Sequence, residues 1–463
     1  MTTMSDSILG QLAEIVGLDH VTASEAERHL HSHDESDHSP VLPDAVVFPA
    51  TTSEVSGVVA LANEHRIPVV GWGAGSSVEG HTIPIHRGIT VDFRRMNRIL
   101  NLYAEDFQAV VQPGILRLDL EDQLGRHGLF FPPDPGANAS VGGMIANNAA
   151  GIRALRHGSA SANVLGLEVV LADGTTIRTG SRSVKQSAGY DLTRLFVGSE
   201  GTLGLVTAAT IRLAPIPEHF SAATIGFPDV ASASKAVYGI MGHGLEPAAL
   251  ELLHQDHIRW MNEEDNAGLT VAPSLMIEYA GPTKDTVQTS MEMTREICAA
   301  QGSTGFTGAD GRDARNAMWR LRHATRERMH RRFPGHHWIG MDVSVPVSRF
   351  PDLIAFSEEV CARRGFAGHV VGHAGDGNMH LGLHFDPAEA RDAEAARLAA
   401  HEIVMKAIEM DGTCTGEHGV GLGKMKYMIT EHGAEAVGVM WAIKRALDPN
   451  NILNPGKILP EVG

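Results

Sequence analysis

Short apolar runs and one helical repeat mark the first regular elements of the chain. Residues 45–48 are apolar, as in a buried strand, and Thr51 with Glu54 fits a capping box at a helix start. Apolar residues then recur at intervals of three and four, which predicts a helix ending near His65. A second apolar strand follows and runs directly into the glycine-rich loop 71–80. The chain therefore begins its regular structure with a strand, a helix, a strand and a loop.

The later apolar segments form two blocks that differ in their predicted secondary structure. The first block is rich in strands, which we predict at 88–93, at 107–114 and in a hairpin over 164–180, and its last segment is 203–218. Two prolines end it near residue 218. The second block alternates strands and helices, including one helix over 310–331, as in an α+β domain. The predicted divisions are a leader at 1–42, a first domain at 43–218, a second domain at 219–424 and a C-terminal segment at 425–463.

Composition excludes several classes of function. The 463 residues carry a formal net charge of −17, which argues against nucleic acid or an anionic membrane as the main partner. No apolar run is long enough for a transmembrane helix, and the N-terminus lacks a signal-peptide pattern, so we expect a cytoplasmic protein. Three scattered cysteines imply no disulfide framework. The 50 glycines indicate that backbone approaches a ligand closely.

Three glycine-rich segments suggest where that ligand lies. Gly71, Gly73 and Gly75 follow a strand, so successive backbone N–H groups could cradle a pyrophosphate, although a tight turn would use the same residues. A Rossmann site is disfavoured because residues 80–84 break the helix that should follow. Residues 132–151 and 198–207 are similarly rich in small residues. Together they suggest a long, extended ligand lying along backbone.

Two histidines and a later carboxylate form a candidate metal site. A turn at Asp376-Gly377 would set His373 opposite His380 on one face of a hairpin. Glu417, in a second glycine-flanked loop, would complete a set of ligands that suits Zn²⁺ or Mn²⁺. The alternative is that Glu417 and its neighbour only cap a helix.

Residues 29–38 also combine histidines with acidic residues. Such a stretch could bind metal, but the composition is more typical of a solvated, poorly ordered segment. We assign it no function.

Six segments stand out in order along residues 43–460. They are PVVGWGAGSSVEG, PPDPGANASVGGMIANNAAG, GSEGTLGLVT, GHAGDGNMH, CTGEHGVGLGK and LDPNNILNPGK. Together they resemble the FAD-linked oxidases of the vanillyl-alcohol-oxidase type, with a PCMH-type FAD-binding domain. Within that superfamily the chain is most similar to the cytochrome-type D-lactate dehydrogenases, near the glycolate oxidase flavin subunit and D-2-hydroxyglutarate dehydrogenase. The resemblance implies a two-subdomain FAD-binding domain, an α+β cap domain with an antiparallel sheet, and a C-terminal segment that returns to the FAD domain.

The resemblance also implies which residues hold FAD. Residues 71–77 would bind the pyrophosphate, 132–147 the ribityl chain and flavin, and 198–207 another part of the cofactor. Because Ser76 and Ser77 stand where covalent members often carry a histidine, we expect non-covalent FAD. The implied contacts, of which the last two could equally be turn formers, are Trp72, Gly73, Ala74, Gly75, Ser76, Ser77, Pro133, Asp134, Ala139, Ser140, Gly142, Gly143, Asn147, Glu200, Gly201, Gly204, Val206, Asn378 and Asn454.

The catalytic groups follow from the same resemblance. It maps His373, His380 and Glu417 onto metal ligands and His418 onto the active-site base. Arg322 lies in a segment similar to the W-x-x-R-H segment of the D-lactate enzymes and would bind the substrate carboxylate with its fork of donors. The alternative for this arginine is a solvated charge on a helix surface.

The expected reaction is oxidation of a D-2-hydroxy acid, first of all D-lactate, to the 2-oxo acid, with the hydride passing to flavin N5. Glycolate and D-2-hydroxyglutarate are alternatives, although Gly340 and Met341 stand where the hydroxyglutarate enzymes carry a lysine for the second carboxylate. Electrons would leave to a cytochrome c-like carrier or a quinone, and a homodimer is among the assemblies considered. Other classes that we weigh are a zinc hydrolase without flavin and a non-catalytic FAD-binding paralogue.

Overall fold

The computed structural model describes residues 4–461, so the ends of the predicted leader and C-terminal segment, residues 1–3 and 462–463, lie outside the described residues. Its strands are β1 (Val21–Thr22), β2 (Ala45–Val47), β3 (Val69–Trp72), β4 (Ile89–Asp92), β5 (Ile99–Tyr103), β6 (Gln108–Val111), β7 (Leu129–Phe130), β8 (Val164–Val170), β9 (Thr176–Gly180), β10 (Leu205–Arg212), β11 (Ala214–Pro215), β12 (His219–Gly226), β13 (Ala249–Leu253), β14 (Ser274–Gly281), β15 (Gly305–Asp310), β16 (His337–Ser344), β17 (Val371–His373) and β18 (Asn378–Phe385).

Helices separate most of these strands. They are α1 (Asp6–Val16), α2 (Glu25–Leu30), α3 (Thr52–His65), α4 (Arg117–Gly125), α5 (Val141–Ala146), α6 (Ala154–His157), α7 (Ala160–Asn163), α8 (Leu192–Phe196), α9 (Val230–Gly242), α10 (Gln255–Asp265), α11 (Lys284–Ala300), α12 (Arg312–His323), α13 (Thr325–Arg332), α14 (Phe350–Arg364), α15 (Ala390–Glu409), α16 (Met428–His432) and α17 (Ala434–Leu447). None of the helices within residues 4–461 has both the length and the apolar character that a membrane crossing requires.

The first of two compact units contains residues up to 150, 157–216 and those from 417 onward. It holds a four-stranded sheet in the order β1-β2-β4-β3, in which β2, β4 and β3 run parallel, and a five-stranded antiparallel sheet in the order β5-β6-β10-β8-β9. The five-stranded sheet contributes to two apolar clusters, one of which also contains the four-stranded sheet. Thr51 is the N-cap as predicted, because its hydroxyl accepts from the N–H of Glu54. The reciprocal bond of the capping box is shifted, since the Glu54 carboxylate accepts from the N–H of Ala50 and not from that of Thr51.

The second unit contains residues 151–156 and 217–416 and is built on one sheet. Its seven strands are antiparallel throughout, in the order β15-β12-β14-β13-β17-β18-β16. Helices α10 and α12 pack side chains against it, among them Met261 and Trp319. Strand β13 lies in the middle of the sheet and is buried along its whole length. The mixed α+β class and the antiparallel sheet predicted from the sequence are both confirmed.

One predicted helix is wrong in its bounds. The helix expected over 310–331 begins two residues later and is divided at Ala324 into α12 and α13. The hydroxyl of Thr325 donates to the carbonyl of Arg322, a local bond that competes with continuation of the helix. The buried guanidinium of Arg328 then pairs with Asp265 of α10, which favours the new direction of α13.

The histidine-rich stretch 29–38 is also different from expectation. It is packed into the first unit, and the side chain of His31 is fully buried with its Nε2 atom 2.9 Å from the carboxylate of Asp92. The carboxylate of Asp34 accepts a 2.7 Å hydrogen bond from the hydroxyl of Ser77. Composition alone therefore misjudged this segment, because its polar groups find buried partners that lie far away in sequence.

The C-terminal tail helps to hold β3 in place. The Nζ atom of Lys444 is buried and donates to the carbonyl of Thr202, the carboxylate of Asp448 and the carbonyl of Leu453. The N–H of Val69 in β3 then donates to the carbonyl of Ile452 at 2.7 Å. Because β3 leads into the glycine-rich loop, this ammonium group supports the start of that loop.

We expect Lys444→Met to lower the free energy of unfolding of the first unit by about 3–5 kcal/mol, since it leaves a buried carboxylate without its cation. The measurement is urea unfolding of the full chain, with amide hydrogen exchange at Val69 as a local probe. The control is Lys235→Met, at an exposed lysine of α9, which should change the free energy by no more than about 0.5 kcal/mol. Equal effects of the two substitutions would contradict this account.

Candidate cofactor and active sites

The three glycine-rich segments meet in the first unit. A side chain at Gly73 would collide with the hydroxyl of Ser140, so the first two segments approach each other as closely as glycine allows. The third segment is tied to the second by backbone hydrogen bonds, from Gly198 to the carbonyl of Ile145 and from Glu200 to the carbonyl of Ala146, both 2.9 Å. These segments therefore form one surface lined by backbone.

The first loop has the donors that a pyrophosphate requires. Among the described residues, the backbone N–H groups of 73–77 donate to no protein acceptor, and these residues are partly exposed. Gly75 has φ +66°, and a side chain there would collide with the ring of Trp72. Unused, neighbouring N–H groups in a loop of this kind bind anionic oxygens. The loop thus fits the phosphate part of a dinucleotide cofactor.

The second segment continues the surface through helix α5. Ser140 caps that helix by accepting from the N–H of Gly143, and Gly142 lies against Pro113, where a side chain would not fit. At the other end of α5, the amide of Asn147 donates to the carbonyl of His418 at 3.3 Å. The backbone of the predicted base is therefore attached to a predicted cofactor segment within the first unit.

Glu200 and Asn454 have contacts inside the protein. Both oxygens of the buried Glu200 carboxylate accept backbone hydrogen bonds, from Val420 at 2.7 Å and Gly421 at 2.9 Å. The Asn454 amide donates to the carbonyls of His81 and Glu200 at 3.0 and 2.8 Å. These two side chains hold the loop and the tail in place, so any contact that they make with a cofactor would come in addition to a structural role.

The other predicted cofactor residues lie on the same three segments. Pro133 is buried, Asp134 donates through its N–H to the carbonyl of Ala150 and Ala139 is half-buried. Gly201 has φ +71°. Gly204 lies against the side chain of Val169. Val206 lies in β10, which is paired with β8.

The predicted histidine hairpin forms in the second unit, but its predicted register is wrong. His373 lies opposite Asn378, and Val371 lies opposite His380, because the turn contains residues 374–377. The expected partner of His373 was His380. The error is two residues, which leaves both imidazoles on the same face of the sheet, with ring centroids 5.1 Å apart.

Contacts with residues outside the hairpin explain the longer turn. The N–H of Ala374 donates at 2.9 Å to the carbonyl of Leu250 in β13, so it is not available to the hairpin partner. Gly377 adopts φ +70° and approaches the carbonyl of Val345 so closely that a side chain would not fit. A neighbouring strand and a neighbouring loop therefore decide the register, and neither is visible in the hairpin sequence.

A buried carboxylate that the sequence analysis missed connects Arg322 to His373. Glu251 lies in the buried strand β13 and accepts from Nε and Nη2 of Arg322 at 2.9 and 2.6 Å. Its other oxygen lies 2.5 Å from Nδ1 of His373. Burial favours the protonated acid, but the interactions of Glu251 with His373 and Arg322 outweigh burial and lower its pKa to about 2. A signal existed, since this acid interrupts the apolar run Ala-Leu-Glu-Leu-Leu of a predicted strand.

Arg322 is thus not a solvated surface charge, since only 12% of its side chain is exposed. Two of its donors are already used by Glu251, and Nη1 donates to none of the described residues. Nη1 is therefore the atom through which this arginine can bind a further acceptor.

A second buried carboxylate organises the loop before Glu417. Asp342 accepts from the Nδ2 of Asn378 at 2.7 Å, and from the hydroxyl of Thr415 and the N–H of Gly416, both at 2.9 Å. It lies opposite His380 in the β16–β18 ladder. Glu417 and His418 come next in the chain, so the ligand loop leaves the sheet beside one of the two imidazoles.

Two family models match most of the chain. Residues 43–180 match a family described as an FAD binding domain, and residues 216–458 match one described as FAD linked oxidases, C-terminal domain. The matched FAD-binding region contains the loop whose N–H groups fit a phosphate. The alternative of a zinc hydrolase without flavin is therefore not supported.

Relatives in sequence give the same family, and a solved structure shows the same fold. The chain is 40% identical over 98% of its length to an Arabidopsis thaliana protein named D-lactate dehydrogenase [cytochrome], mitochondrial, and covers 80% of that relative. It is 37% identical over 97% of its length to Glycolate oxidase subunit GlcD of Bacillus subtilis, and covers 96% of it. The fold resembles that of p-cresol methylhydroxylase with substrate bound, with a TM-score of 0.82, 18% identity, and coverage of 98% of this chain and 96% of the other. From these matches, the chain belongs to the FAD-linked oxidases, a family of FAD-dependent oxidoreductases.

Proposed function

We propose that the protein is an FAD-dependent dehydrogenase that oxidises a D-2-hydroxy acid, with D-lactate as the preferred substrate, to the 2-oxo acid. The observation that carries this proposal is the similarity along nearly the whole chain to relatives named D-lactate dehydrogenase. The name Glycolate oxidase subunit GlcD on another relative supports the same class of small hydroxy acids. In β16, Gly340 and the buried Met341 offer no cation for a second carboxylate, which disfavours D-2-hydroxyglutarate.

The cofactor part of the proposal is non-covalent FAD on the backbone surface of the first unit. The pyrophosphate would lie on the N–H groups of 73–77, and the remainder along 132–147 and 198–207. When bound, FAD supplies the hydride acceptor that the protein's own side chains lack. Support comes from the fit between the open N–H groups and an anionic ligand.

The metal part of the proposal assigns His373, His380 and Glu417 as ligands of Zn²⁺ or Mn²⁺. A hydrogen bond from Nδ1–H of His373 to Glu251 fixes the tautomer whose Nε2 lone pair can bind a metal, an arrangement common around metal-binding histidines. The N–H of Gly416 donates to the Asp342 carboxylate and so fixes the backbone next to Glu417, which supports Glu417 as the third ligand. A divalent ion there would lower the pKa of a coordinated hydroxyl group.

The protein's own groups then have distinct tasks. His418 accepts the proton of the substrate hydroxyl as a neutral imidazole. Arg322 directs Nη1 to the substrate carboxylate, while Glu251 keeps its guanidinium in one orientation through the other two donors. Electrons leave to an external acceptor, and the net charge of −17 suits a basic carrier such as a cytochrome c, with a quinone as the alternative.

The proposal also keeps a cytoplasmic location and allows a homodimer. Relatives from Arabidopsis thaliana and Danio rerio are named mitochondrial, which is a statement about those proteins.

We expect the purified protein to be yellow and its visible flavin absorption to bleach when D-lactate is added without oxygen. L-lactate should leave the absorption unchanged, and D-2-hydroxyglutarate should act more slowly than D-lactate. The measurement is anaerobic stopped-flow spectroscopy over a panel of D- and L-2-hydroxy acids. The proposal fails if dithionite reduces the flavin but no hydroxy acid does.

We expect Glu251→Gln to weaken metal binding by about 10–100-fold, since it removes the carboxylate that orients His373. The matched control is Glu278→Gln, because Glu278 is also a buried strand carboxylate bound by an arginine, Arg315, at 2.6 Å. Metal content after dialysis against graded chelator measures the affinity. Equal losses in both variants would assign Glu251 a purely structural role.

We expect His418→Asn to lower kcat by about 10²–10⁴-fold while FAD content stays unchanged, since the proton acceptor is removed and the backbone carbonyl held by Asn147 remains. Steady-state kinetics provide the check. A kcat within about tenfold of that of the parent protein would show that another group accepts the proton.

A further inference from the structure

We infer that the second unit carries an additional divalent-metal site, formed by His254, Asp256 and His369, which clamps the ends of β13 and β17. The three side chains lie apart from the ligands proposed for the active site, and no comparison assigns them a role. One nitrogen from each imidazole and one carboxylate oxygen lie within 4.8 Å of one another. This inference does not depend on the substrate or cofactor proposed above.

Two loops bring the ligands together. His254 follows β13 directly and is the N-cap of α10, whose first turn contains Asp256. His369 lies two residues before β17. The N–H of His254 donates to the carbonyl of Val370 at 2.9 Å, so the backbone already joins the two loops. The ligand positions are therefore set by paired strands and a helix start, which makes the geometry reproducible.

The distances suit zinc. Oδ2 of Asp256 lies 3.2 Å from Nδ1 of His369 and 3.5 Å from Nδ1 of His254. A tetrahedral ion with bonds of about 2.1 Å holds its ligand atoms about 3.4 Å apart. Two edges of the ligand triangle already match that spacing. Solvent can supply the fourth ligand, because His254 and Asp256 remain partly exposed.

The hydrogen bonds of the three side chains indicate which of their atoms could bind a cation. Nδ1 of His254 accepts from the N–H of Asp256, which identifies it as the unprotonated nitrogen. Nδ1 of His369 is buried and makes no properly aligned hydrogen bond with any described residue. Arg259 binds the other oxygen of Asp256 and so leaves Oδ2 directed at the imidazoles. A zinc ion would therefore meet the lone pairs of Asp256 Oδ2 and His369 Nδ1, and it would replace the N–H of Asp256 as the partner of His254 Nδ1.

The protonation state of the imidazoles agrees with this arrangement. Burial lowers the pKa of His369 to about 4 and also lowers the pKa of His254. Both rings are therefore neutral near pH 7, as metal ligands must be. The ring of His369 is further held by the edge of Trp260, with centroids 4.6 Å apart, so little side-chain entropy would be lost on binding.

A metal here would act on the active-site strands without touching a reactant. Glu251 and His373 face each other in the β13–β17 ladder, which ends at the pair Leu253 and Val371. The proposed ion closes that ladder just beyond its last pair. Its role is structural, since it would resist separation of the two strands that carry the Glu251–His373 hydrogen bond.

The test uses the full FAD-loaded chain in which the proposed active-site ligands are removed by His373→Ala and His380→Ala. Zn²⁺ is the probe, and bound zinc is measured after dialysis. We expect about one equivalent in this background and its loss on adding either His254→Asn or Asp256→Asn. Asparagine at 254 keeps an N-cap, and near-ultraviolet circular dichroism checks that each variant is folded. The matched control is His243→Asn, at an exposed histidine that follows α9.

Loss of about one zinc equivalent in both ligand variants, with none lost in the control, supports the site. Co²⁺ should also give the intense visible absorption of a tetrahedral complex in the background protein and lose it with His254→Asn. The inference is overturned if the background binds no zinc, or if folded ligand variants bind as much as the control. Failure of the proposed active-site metal would not change these outcomes, because its histidines are absent throughout.

Discussion

A single buried negative charge constrains the second unit. Glu251 lies in the middle of a seven-stranded sheet, where an unpaired carboxylate would cost several kcal/mol, so the fold must bring it a cation and a hydrogen-bond donor. Arg322 comes from a helix on the sheet, and His373 comes from the neighbouring strand. The helix, the sheet and the hairpin are therefore aligned by the need to neutralise one side chain, and that alignment also orients an imidazole and a guanidinium toward possible ligands.

In the first unit, the surface formed by the glycine-rich segments consists mainly of backbone. Its three glycine-rich segments are joined by main-chain hydrogen bonds and by contacts that only glycine allows, so the surface that they form depends little on side-chain identity. The few side chains that matter there, such as Glu200 and Lys444, act by accepting from or donating to backbone. Binding energy for a dinucleotide would then come from many small, preorganised contacts rather than from a few charged residues.

Local patterns in the sequence predicted much of this structure because they reflect interactions between residues that are close in sequence. Three predicted features depend on neighbours within a few residues: the N-cap at Thr51, the order of the strands and the glycine-rich segments. The register of the histidine hairpin depends on Leu250, and the break at Ala324 is accompanied by a pairing of Arg328 with a distant acid. The burial of residues 29–38 likewise rests on partners far away in sequence. What composition and periodicity cannot supply is the identity of such partners. The apolar run around Glu251 marks this acid as buried, but it does not identify Arg322 and His373 as its partners.

The turn at 374–377 has an evolutionary consequence. Since strand side chains alternate between faces, an inserted or deleted residue that shifted the pairing of β17 with β18 by one position would point His380 away from His373, whereas a shift of two would return it to the same side. Because β18 is also paired with β16 along its whole length, homologous turns of other lengths should keep this register and take up the extra residue within the turn or as a bulge. Selection on this loop would then act on the phase of the strand that follows it and on Gly377.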